Sequence, residues 1–460
     1  MGPLLGIYSH NGTQYNFTSN RVRNQYLPPG YYPSEPQLNS EEWLKILDYY
    51  EQAAPENLTS EREGKEIVED SLFFQARSPD YLSELPPIVT AVKFDPGNRL
   101  IYVSDSAQNG LMVFDRNLQL QEIYPFSSPI SDIQFLGDPD QPGRRNMLLT
   151  YIGHLDPSDA PLGSVAKGWM DPSTGEGDIR SEIYRDSLTR PVESQFADLN
   201  GDGLDDLLMG EFGNRIGKLS WLENRGEDFN PDRNVLVETP GCIQSHTLDF
   251  TNNGLRDVIS LCAQVAQSIY LFKNQGNGKF ERETLLQFEI TAGSTSFELH
   301  DFNDDGHLDI LYTNGDNADF SKVYKPYHGV SVYLNDGNDS FTQEWFYPVN
   351  GAYRAVARDF NKNGRLDIAV ISYFADYIRS PEEGFLFFKN DGGLEFTPYH
   401  HPAAKAGRWL TMDVADWTGD GYEDIVLGSF PFGPSLASSP FRLNWEDSPH
   451  FLLLENKLKE

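Results

Sequence analysis

The sequence predicts an all-β fold, a seven-bladed β-propeller whose blades are four-stranded antiparallel sheets. A nine-residue acidic loop occurs five times, and its copies begin at Asp198, Asp249, Asp301, Asp359 and Asp416. Short β-rich runs flank every copy, and four such runs fit into each period of 51 to 58 residues, which is the size of a propeller blade. Residues 88–126 and 130–184 each show the pattern of one further blade, so the expected total is seven.

The composition indicates a folded and strongly acidic protein. Of 460 residues, 39% are hydrophobic and 13% aromatic, which excludes general disorder. The 36 basic and 69 acidic residues give a formal charge of −33. This charge disfavours nucleic acid and anionic lipid as partners and favours bound cations. The sequence contains no run of 18 apolar residues and no charged-then-apolar leader, so we expect no membrane span and no export signal still attached.

Residues 1–69 are predicted to form an N-terminal segment with one short helix. A proline-rich stretch, residues 28–36, reads as a stiff linker. Asn39 and Glu42 fit the capping box that begins a helix, and Pro55 is expected to end it. The predicted apolar stripe of this helix consists of Trp43, Ile46, Leu47, Tyr50 and Ala54.

Residues 70–460 are predicted to form the propeller. The last blade has only three strands after Arg408, because the chain ends soon after Asn456. An open ring would leave two exposed sheet edges. We therefore expect Ser71 to Ala76 to supply the missing outer strand and to close the ring.

Each repeat continues in the same way after its loop. An apolar second strand follows, and a third strand ends at an asparagine, usually in an Asn-x-Gly turn. A phenylalanine is then expected to open the fourth strand. The asparagines are Asn224, Asn274, Asn335, Asn390 and Asn456, and the phenylalanines are Phe229, Phe280, Phe341 and Phe396.

The loops, with the pattern Asp-x-[Asp/Asn/Thr]-x-[Asp/Asn]-Gly-x-x-Asp, resemble the FG-GAP/VCBS-type repeat. That family builds seven-bladed propellers, including the integrin head. The resemblance covers residues 190–456 strongly and residues 88–190 by pattern only. It implies that the loops bind calcium between strands one and two of each blade, on the face opposite the one that usually meets ligands.

The residue types in the loops suit calcium, which takes six to eight oxygen ligands in a flexible geometry. Side chains at positions 1, 3, 5 and 9 and the carbonyl at position 7 would bind the ion, and the glycine at position 6 permits the positive φ of the turn. Three loops bring three carboxylates each, the fourth brings two with two amides, and the loop at Asp249 is the weakest. The predicted ligands of several Ca²⁺ ions are Asp198, Asn200, Asp202, Leu204 and Asp206; Asp249, Thr251, Asn253, Leu255 and Asp257; Asp301, Asn303, Asp305, His307 and Asp309; Asp359, Asn361, Asn363, Arg365 and Asp367; and Asp416, Thr418, Asp420, Tyr422 and Asp424.

Length variation points to the opposite face as the place of recognition. The stretch between position 9 and the strand-three asparagine is shortest from Asp257 to Asn274 and longest from Asp424 to Asn456. The additional residues fall between strands two and three, away from the acidic loops, and variable loops on a rigid scaffold commonly bind ligands. This face is expected to hold His154, Asp316, His328, Arg354, Arg408 with Trp409, and the 431–449 loop with Trp445, and His246 would lie on an innermost strand near the channel.

Two functions compete for that face. In one, its loops bind a glycan, a protein or a redox-partner subunit. In the other, His154, Asp316, His328 and Arg354 converge at the channel mouth as an acid/base or metal site. The sequence favours binding over catalysis, because it contains no nucleophile elbow, phosphate loop or H-E-x-x-H motif.

The two cysteines, Cys242 and Cys262, flank the weakest loop at nearly equal distances. If that loop joins antiparallel strands, the sulfurs face each other and can bridge. Two buried thiols are the alternative, and the sequence leaves both open. Because the sequence has only two cysteines, it excludes a zinc site built from cysteines, an iron–sulfur cluster and covalent haem within this chain.

The N-terminal segment carries a second resemblance. Met1-Gly with Gly6-Ile7, followed by Glu42-Trp43 and the stretch from Asp48 to Asn57, looks like the end of a small c-type cytochrome module that precedes VCBS propellers in some exported bacterial proteins. The haem-attaching cysteines would lie upstream of Met1.

Together these observations predict an extracytoplasmic protein (periplasmic, cell-surface or secreted), because loops of this kind fill where calcium is millimolar.

Overall fold

The computed structural model describes residues 9–10, 13–14, 25–53, 66–81, 83–137, 143–317, 324–432, 445 and 447–458. Seven antiparallel sheets of four strands follow one another along the chain, and the sixth carries an additional parallel strand. The first strands of successive blades contact each other around the whole ring, including those of blades 7 and 1. The predicted seven-bladed propeller is therefore confirmed.

In each blade the first strand lies nearest the axis of the ring and the last strand lies outermost. Blades 1 to 3 consist of Val89–Asp95, Leu100–Asp105, Gly110–Phe114 and Leu120–Pro125; Ile130–Leu136, Arg145–Tyr151, Gly163–Met170 and Gly177–Leu188; and Pro191–Ala197, Asp206–Glu211, Lys218–Leu222 and Asn234–Val237. Blades 4 and 5 consist of Cys242–Leu248, Asp257–Cys262, Ser268–Asn274 and Phe280–Gln287, and of Ser294–His300, Asp309–Asn314, Gly329–Asn335 and Phe341–Pro348. Blades 6 and 7 consist of Arg354–Arg358, Asp367–Ile371, Phe385–Gly392, Glu395–His400 and Val68–Glu69, and of Trp409–Ala415, Asp424–Ser429, Phe451–Asn456 and Phe74–Arg77.

The ring closes as the sequence predicts, with slightly different bounds. Phe74–Arg77 forms the outer strand of blade 7 and pairs antiparallel with Phe451–Asn456. The segment before it adds a feature that the sequence did not indicate, because Val68–Glu69 pairs in parallel with the outer strand of blade 6. One N-terminal stretch thus covers the edges of two neighbouring blades, which protects sheet edges that would otherwise be exposed.

The fourth strand of blade 3 begins later than predicted. Phe229 was expected to open it, but the strand is Asn234–Val237 and Phe229 makes only an isolated bridge to Asn224. Pro231 follows Phe229 closely and has no N–H to donate to the ladder. The Phe229 ring instead stacks on Phe196, with the ring centres 6.0 Å apart.

The hydrophobic core lies between the blades as successive apolar layers. The layer between blades 6 and 7 is typical and buries the side chains of Phe385, Phe387, Trp409 and Ile425. Arg408 and Trp409, which were predicted on the ligand-binding face, are both 0% exposed. For Trp409 the prediction is wrong, because its ring belongs to this core, where its Nε1 donates to the Ala404 carbonyl over 2.8 Å. Arg408 does contact a connection of that face, because its Nε donates to the Tyr373 carbonyl over 2.7 Å.

The N-terminal helix spans Ser40–Ala53, and short 3₁₀ turns lie at Pro381–Gly384 and Pro402–Ala406. A two-residue strand pair, Ser9–His10 with Thr13–Gln14, precedes the helix. The capping box is confirmed, because the Glu42 amide donates to Asn39 Oδ1 and the Asn39 amide donates to Glu42 Oε2, both over 2.9 Å.

The apolar stripe of the helix is only partly buried. Trp43 is 6% exposed, whereas Tyr50 is 54% exposed. Ala54 and Pro55 lie outside the described residues. Within the described part of the chain, no helix has the length and apolarity needed to cross a membrane.

Candidate functional site

The five acidic loops share one backbone conformation. In each, the position 6 glycine has a φ between +84° and +92°, and its amide donates to the position 1 carboxylate. An L-residue with a side chain rarely adopts this φ, so the expected role of the glycine is confirmed. The N–H···O distances are 2.9 Å from Gly203 to Asp198, 3.0 Å from Gly254 to Asp249, 2.8 Å from Gly306 to Asp301, 2.8 Å from Gly364 to Asp359 and 2.9 Å from Gly421 to Asp416.

The position 9 aspartates form the floor of the loops and are all 0% exposed. Each ties its loop to strand three, as Asp257 does by accepting the amide of Asn274 over 2.7 Å. The Asn274 side chain then donates to the carbonyls of Arg256, at 2.8 Å, and of Leu199 in the preceding blade, at 2.9 Å. Asn274 and Asn456, which the sequence marked only as turn residues, thus join neighbouring blades, the latter by donating to the Phe360 carbonyl.

The buried carboxylates of the loops are in an environment that a cation would stabilise. Burial raises the pKa of Asp206 to about 6 and that of Asp367 to about 7. Asp367 Oδ2 and Asp416 Oδ1 are buried and have no hydrogen-bond partner among the described residues. An unpaired buried carboxylate oxygen is costly, and oxygen atoms of this kind are the ligands that calcium prefers. The residues therefore fit a calcium ion.

The loop at Asp249 differs from the others in a way that agrees with its predicted weakness. The Thr251 hydroxyl at position 3 donates to Asp257 over 2.9 Å, and the side-chain Nδ2 of Asn253 at position 5 donates to the Asn274 carbonyl over 3.0 Å. Two of its predicted ligands are thus engaged within the protein. In the described residues, no group of three or more His, Cys, Asp or Glu side chains is already gathered as for a metal ion, so binding calcium would require side chains of the loops to turn inwards.

In blade 1, the turn between strands one and two is stabilised by an arginine side chain in place of an acidic-loop motif. The Arg145 guanidinium from blade 2 binds Asp95 at both carboxylate oxygens, with Nε–Oδ2 at 2.7 Å and Nη2–Oδ1 at 2.5 Å. Asp95 is 1% exposed. This ion pair was not predicted, because Arg145 is 50 residues away in the sequence and only the blade packing brings it to the turn.

The four candidate residues of the opposite face differ in exposure, and two of them, Asp316 and Arg354, both affect the pKa of the same side chain, Tyr353. The His154 carbonyl accepts from Arg190 Nε over 3.2 Å. His328 is 1% exposed, with its ring 5.3 Å from that of Tyr327. Asp316 raises the pKa of Tyr353, adding to the larger effect of burial. Arg354 begins the innermost strand of blade 6 and faces the channel.

In the channel, Arg354 lies near two half-buried acidic side chains, Asp132 and Glu193. Burial raises the pKa of both Asp132 and Glu193, and the positive charge of Arg354 partly offsets this rise. The two candidate histidines differ from each other, because His154 is exposed and His328 is buried. Trp445 packs on Tyr377 with ring centres 4.7 Å apart, and residues 433–444 and 446 of its loop lie outside the described residues.

The innermost strands are held together by a seam of side-chain to backbone hydrogen bonds that the sequence did not reveal. A polar side chain of one blade accepts an amide of the next blade at several seams. These bonds run from Ser245 N to Glu193 Oε2 at 2.6 Å, from Phe297 N to Gln244 Oε1 at 3.1 Å, from Ala357 N to Glu298 Oε2 at 3.0 Å and from Phe94 N to Asp413 Oδ2 at 2.8 Å.

Glu298 is the centre of the most polar part of this seam. Its Oε2 also accepts from His300 Nε2 over 2.8 Å and from Arg358 Nη1 over 3.1 Å. The three side chains line a cleft of about 630 Å³ at the end of the channel that faces the acidic loops, together with His246, which lies on the innermost strand of blade 4 as predicted. Burial by itself would raise the pKa of Glu298, but the bonds from His300 and Ala357 and the charge of Arg358 outweigh it and lower the pKa to about 2.

The stability contributed by Glu298 is expected to depend on pH. A carboxyl whose pKa is lower in the folded than in the unfolded state stabilises the fold above its unfolded value, here about 4.5, and this stabilisation is lost as pH falls towards 2. We expect Glu298→Gln to lower the free energy of unfolding by about 3 kcal/mol at pH 7 and by progressively less between pH 4.5 and 2. Urea unfolding at several pH values measures this difference. Glu344→Gln, at an exposed position of blade 5, should change little at any pH, and a deficit of Glu298→Gln that stays constant down to pH 2.5 would contradict the assignment.

The fold and the loops define a class of protein, the seven-bladed β-propeller with acidic turns between strands one and two. The profile of the FG-GAP-like repeat matches residues 198–260 and 249–312. The chain therefore contains FG-GAP-like repeats, and the resemblance based on the loop motifs is confirmed. The resemblance of the N-terminal segment to a cytochrome module stays a prediction, and residues 1–8 and 54–57 of that segment lie outside the described part.

Two further comparisons concern whole proteins. No curated protein matches the chain. Among solved structures, the crystal structure of BBS1N in complex with ARL6DN, soaked with mercury, is similar at a TM-score of 0.45 and 8% sequence identity. The alignment covers 84% of this chain and 97% of that chain.

Proposed function

We propose that this chain is a calcium-stabilised recognition or scaffold module that acts outside the cytoplasm. In this proposal the five acidic loops bind calcium on one face, and the opposite face binds a protein, a glycan or a redox-partner subunit. The observation that carries the proposal is the shared geometry of the five loops, in each of which a glycine with positive φ donates its amide to the position 1 carboxylate and the position 9 carboxylate is buried. Bound calcium would offset the negative charge that the loops concentrate.

The disulfide supports an extracytoplasmic location. Cys242 and Cys262 lie directly opposite each other on the first two strands of blade 4, and their sulfurs are bonded. The structure thus favours the disulfide over the two buried thiols that the sequence also allowed. Disulfides persist in oxidising compartments outside the cytoplasm, and the same compartments supply the millimolar calcium that weak loops require.

The variable loops support recognition at the face opposite the acidic turns. The connections between strands two and three are short in blades 3 and 4, at residues 212–217 and 263–267, and longer in blades 5 to 7, at residues 315–328, 372–384 and 430–450. Rigid strands hold these connections on one side of the ring. Such an arrangement is common in binding proteins, and the sequence contains no nucleophile elbow, phosphate loop or H-E-x-x-H motif, which gives the alternative, an enzyme, less support.

A binding screen with a matched pair of surface variants tests this assignment. Purified chain in 2 mM calcium is applied to glycan and peptide arrays, which serve as defined probes. Tyr327→Glu introduces a charge on the proposed binding face, where Tyr327 is 44% exposed, and Leu204→Glu introduces the same charge on the calcium-loop face, where Leu204 is 39% exposed. We expect array signals to fall at least tenfold for Tyr327→Glu only. Signals lost only for Leu204→Glu, or an absence of any specific signal, would contradict recognition at this face.

A further inference from the structure

The segment before the helix lies against the propeller on the face opposite the acidic loops. The Tyr31 hydroxyl donates to the Arg215 carbonyl over 3.3 Å. The Arg215 guanidinium lies 5.9 Å from the centre of the Tyr32 ring. Arg215 belongs to the connection between strands two and three of blade 3, so the two tyrosines cover part of the face to which we assign recognition.

The segment is held in a defined turn rather than in an extended form. The Tyr31 amide donates to the Pro28 carbonyl over 3.2 Å, and Gly30 has a φ of +79°. Proline at the second position and glycine with positive φ at the third are typical of a type II turn. The Tyr31 and Tyr32 rings meet edge to face with centres 5.0 Å apart. The turn therefore presents both rings together at little cost in conformational entropy.

The surface beneath the tyrosines is rigidly built from two blades. Asp159 of blade 2 is 3% exposed, and its Oδ1 accepts the amides of Asn214, Arg215 and Ile216 over 3.1, 2.8 and 3.2 Å. Its Oδ2 is buried and has no hydrogen-bond partner among the described residues. A buried carboxylate that organises three successive amides fixes the conformation of residues 212–217.

Arg190 ties the same two connections together from the other side. It donates to the carbonyls of His154 at 3.2 Å, Leu155 at 3.0 Å and Gly213 at 2.8 Å. The Tyr31 hydroxyl lies near this surface. Burial raises its pKa, and the negative charge of Asp159 adds to the rise. We call the surface formed by residues 152–161 and 212–217 the tyrosine platform.

We propose that the tyrosine platform is a binding site for a Pro-Gly turn followed by two tyrosines, and that residues 28–33 of the chain occupy it in cis. This inference rests on the proposed function, since it assigns one subsite and its control to the recognition face. A tethered segment acts at an effective concentration near millimolar. A partner that carries the same turn must compete with it, so the N-terminal segment limits access to the platform.

A trans-binding experiment on the full chain tests the proposal. The probe is a fluorescein-labelled peptide with the sequence of residues 27–36, measured by fluorescence anisotropy. Tyr31→Ala/Tyr32→Ala removes the cis occupant outside the blades, and we expect it to bind the peptide saturably and at least tenfold more tightly than the wild type does. Tyr49→Ala/Tyr50→Ala is the matched control, because these adjacent rings also meet edge to face, at 5.6 Å, but are 67% and 54% exposed on the helix. The control should behave as the wild type.

Adding Arg215→Ala to the first double variant locates the bound peptide. This change removes the guanidinium next to the Tyr32 ring and should weaken peptide binding about 3- to 10-fold. Equal, weak binding by the wild type and Tyr31→Ala/Tyr32→Ala overturns the proposal, as does binding that Arg215→Ala leaves unchanged. If the peptide binds no variant while array ligands still require the Tyr327 face, this inference fails and the proposed function stands. Melting curves that match the wild type show that every variant is folded.

Discussion

Removal of calcium is expected to lower the melting temperature of this protein by on the order of 10 °C. A ligand at 10 times its Kd stabilises the fold by about 1.4 kcal/mol for each site, and the three loops with three carboxylates would together contribute about 4 kcal/mol in millimolar calcium. Without the ion these carboxylates repel one another at the end of a strand. Differential scanning calorimetry in EGTA, followed by addition of excess CaCl₂, measures the loss and its recovery.

Variants of single loops connect this effect to the predicted ligands. Asp301→Asn/Asp305→Asn removes two charges from a loop with three carboxylates and should remove one calcium ion from the stoichiometry seen by calorimetric titration. Asp249→Asn should have a smaller effect, because its loop is already held by internal bonds of Thr251 and Asn253. Asp228→Asn, in an exposed turn of blade 3, controls for the loss of a surface charge. A melting curve that does not change in EGTA would refute the calcium sites.

The ring and its acidic turns could be predicted because they are local and repeated. A nine-residue loop encodes its own conformation through the glycine at position 6, so five copies report the same structure independently. The closing strand followed from the need to pair a sheet edge, although its position shifted from Ser71–Ala76 to Phe74–Arg77. The predicted start of the fourth strand in blade 3, at Phe229, was wrong. Pro231 cannot donate a backbone hydrogen bond to the sheet, and the strand begins only at Asn234.

The features that escaped prediction depend on contacts between distant parts of the chain. The Glu298–Arg358 pair joins residues 60 positions apart, and Tyr31 contacts Arg215 across 184 positions. Neither contact leaves a pattern in one sequence, because a single charged or aromatic residue looks the same on a surface as in a seam. The disulfide between Cys242 and Cys262 could be predicted only in part. The loop between the two cysteines indicated that they face each other on neighbouring strands, but not that their sulfurs are bonded.

Phe74→Ala is expected to cost about 3–5 kcal/mol in the free energy of unfolding, the range for truncating a buried phenylalanine. Phe74 is 2% exposed, and its ring packs edge to face on Phe387 and Phe360, with centres 5.1 and 6.3 Å away. It also pairs with Asn456 at the end of the chain. The substitution therefore leaves a cavity between blades 6 and 7 and weakens the strand that closes the ring.

Leu72→Ala is the control that separates the loss of ring closure from a general sensitivity of residues 71–77 to substitution. Leu72 lies two residues before Phe74 and is 80% exposed. It should change the free energy of unfolding by less than about 0.5 kcal/mol. Urea denaturation followed by tryptophan fluorescence compares the two variants, and Trp409 in the same core reports on this seam. If ring closure by the N-terminal strand holds blade 7 in place, Phe74→Ala should also make the C-terminal strand, residues 451–456, exchange its amide hydrogens faster, while Leu72→Ala leaves that exchange unchanged. Equal effects of the two substitutions would mean that the closing strand adds little to the ring, and the stability of the propeller would then have to come from the contacts between innermost strands alone.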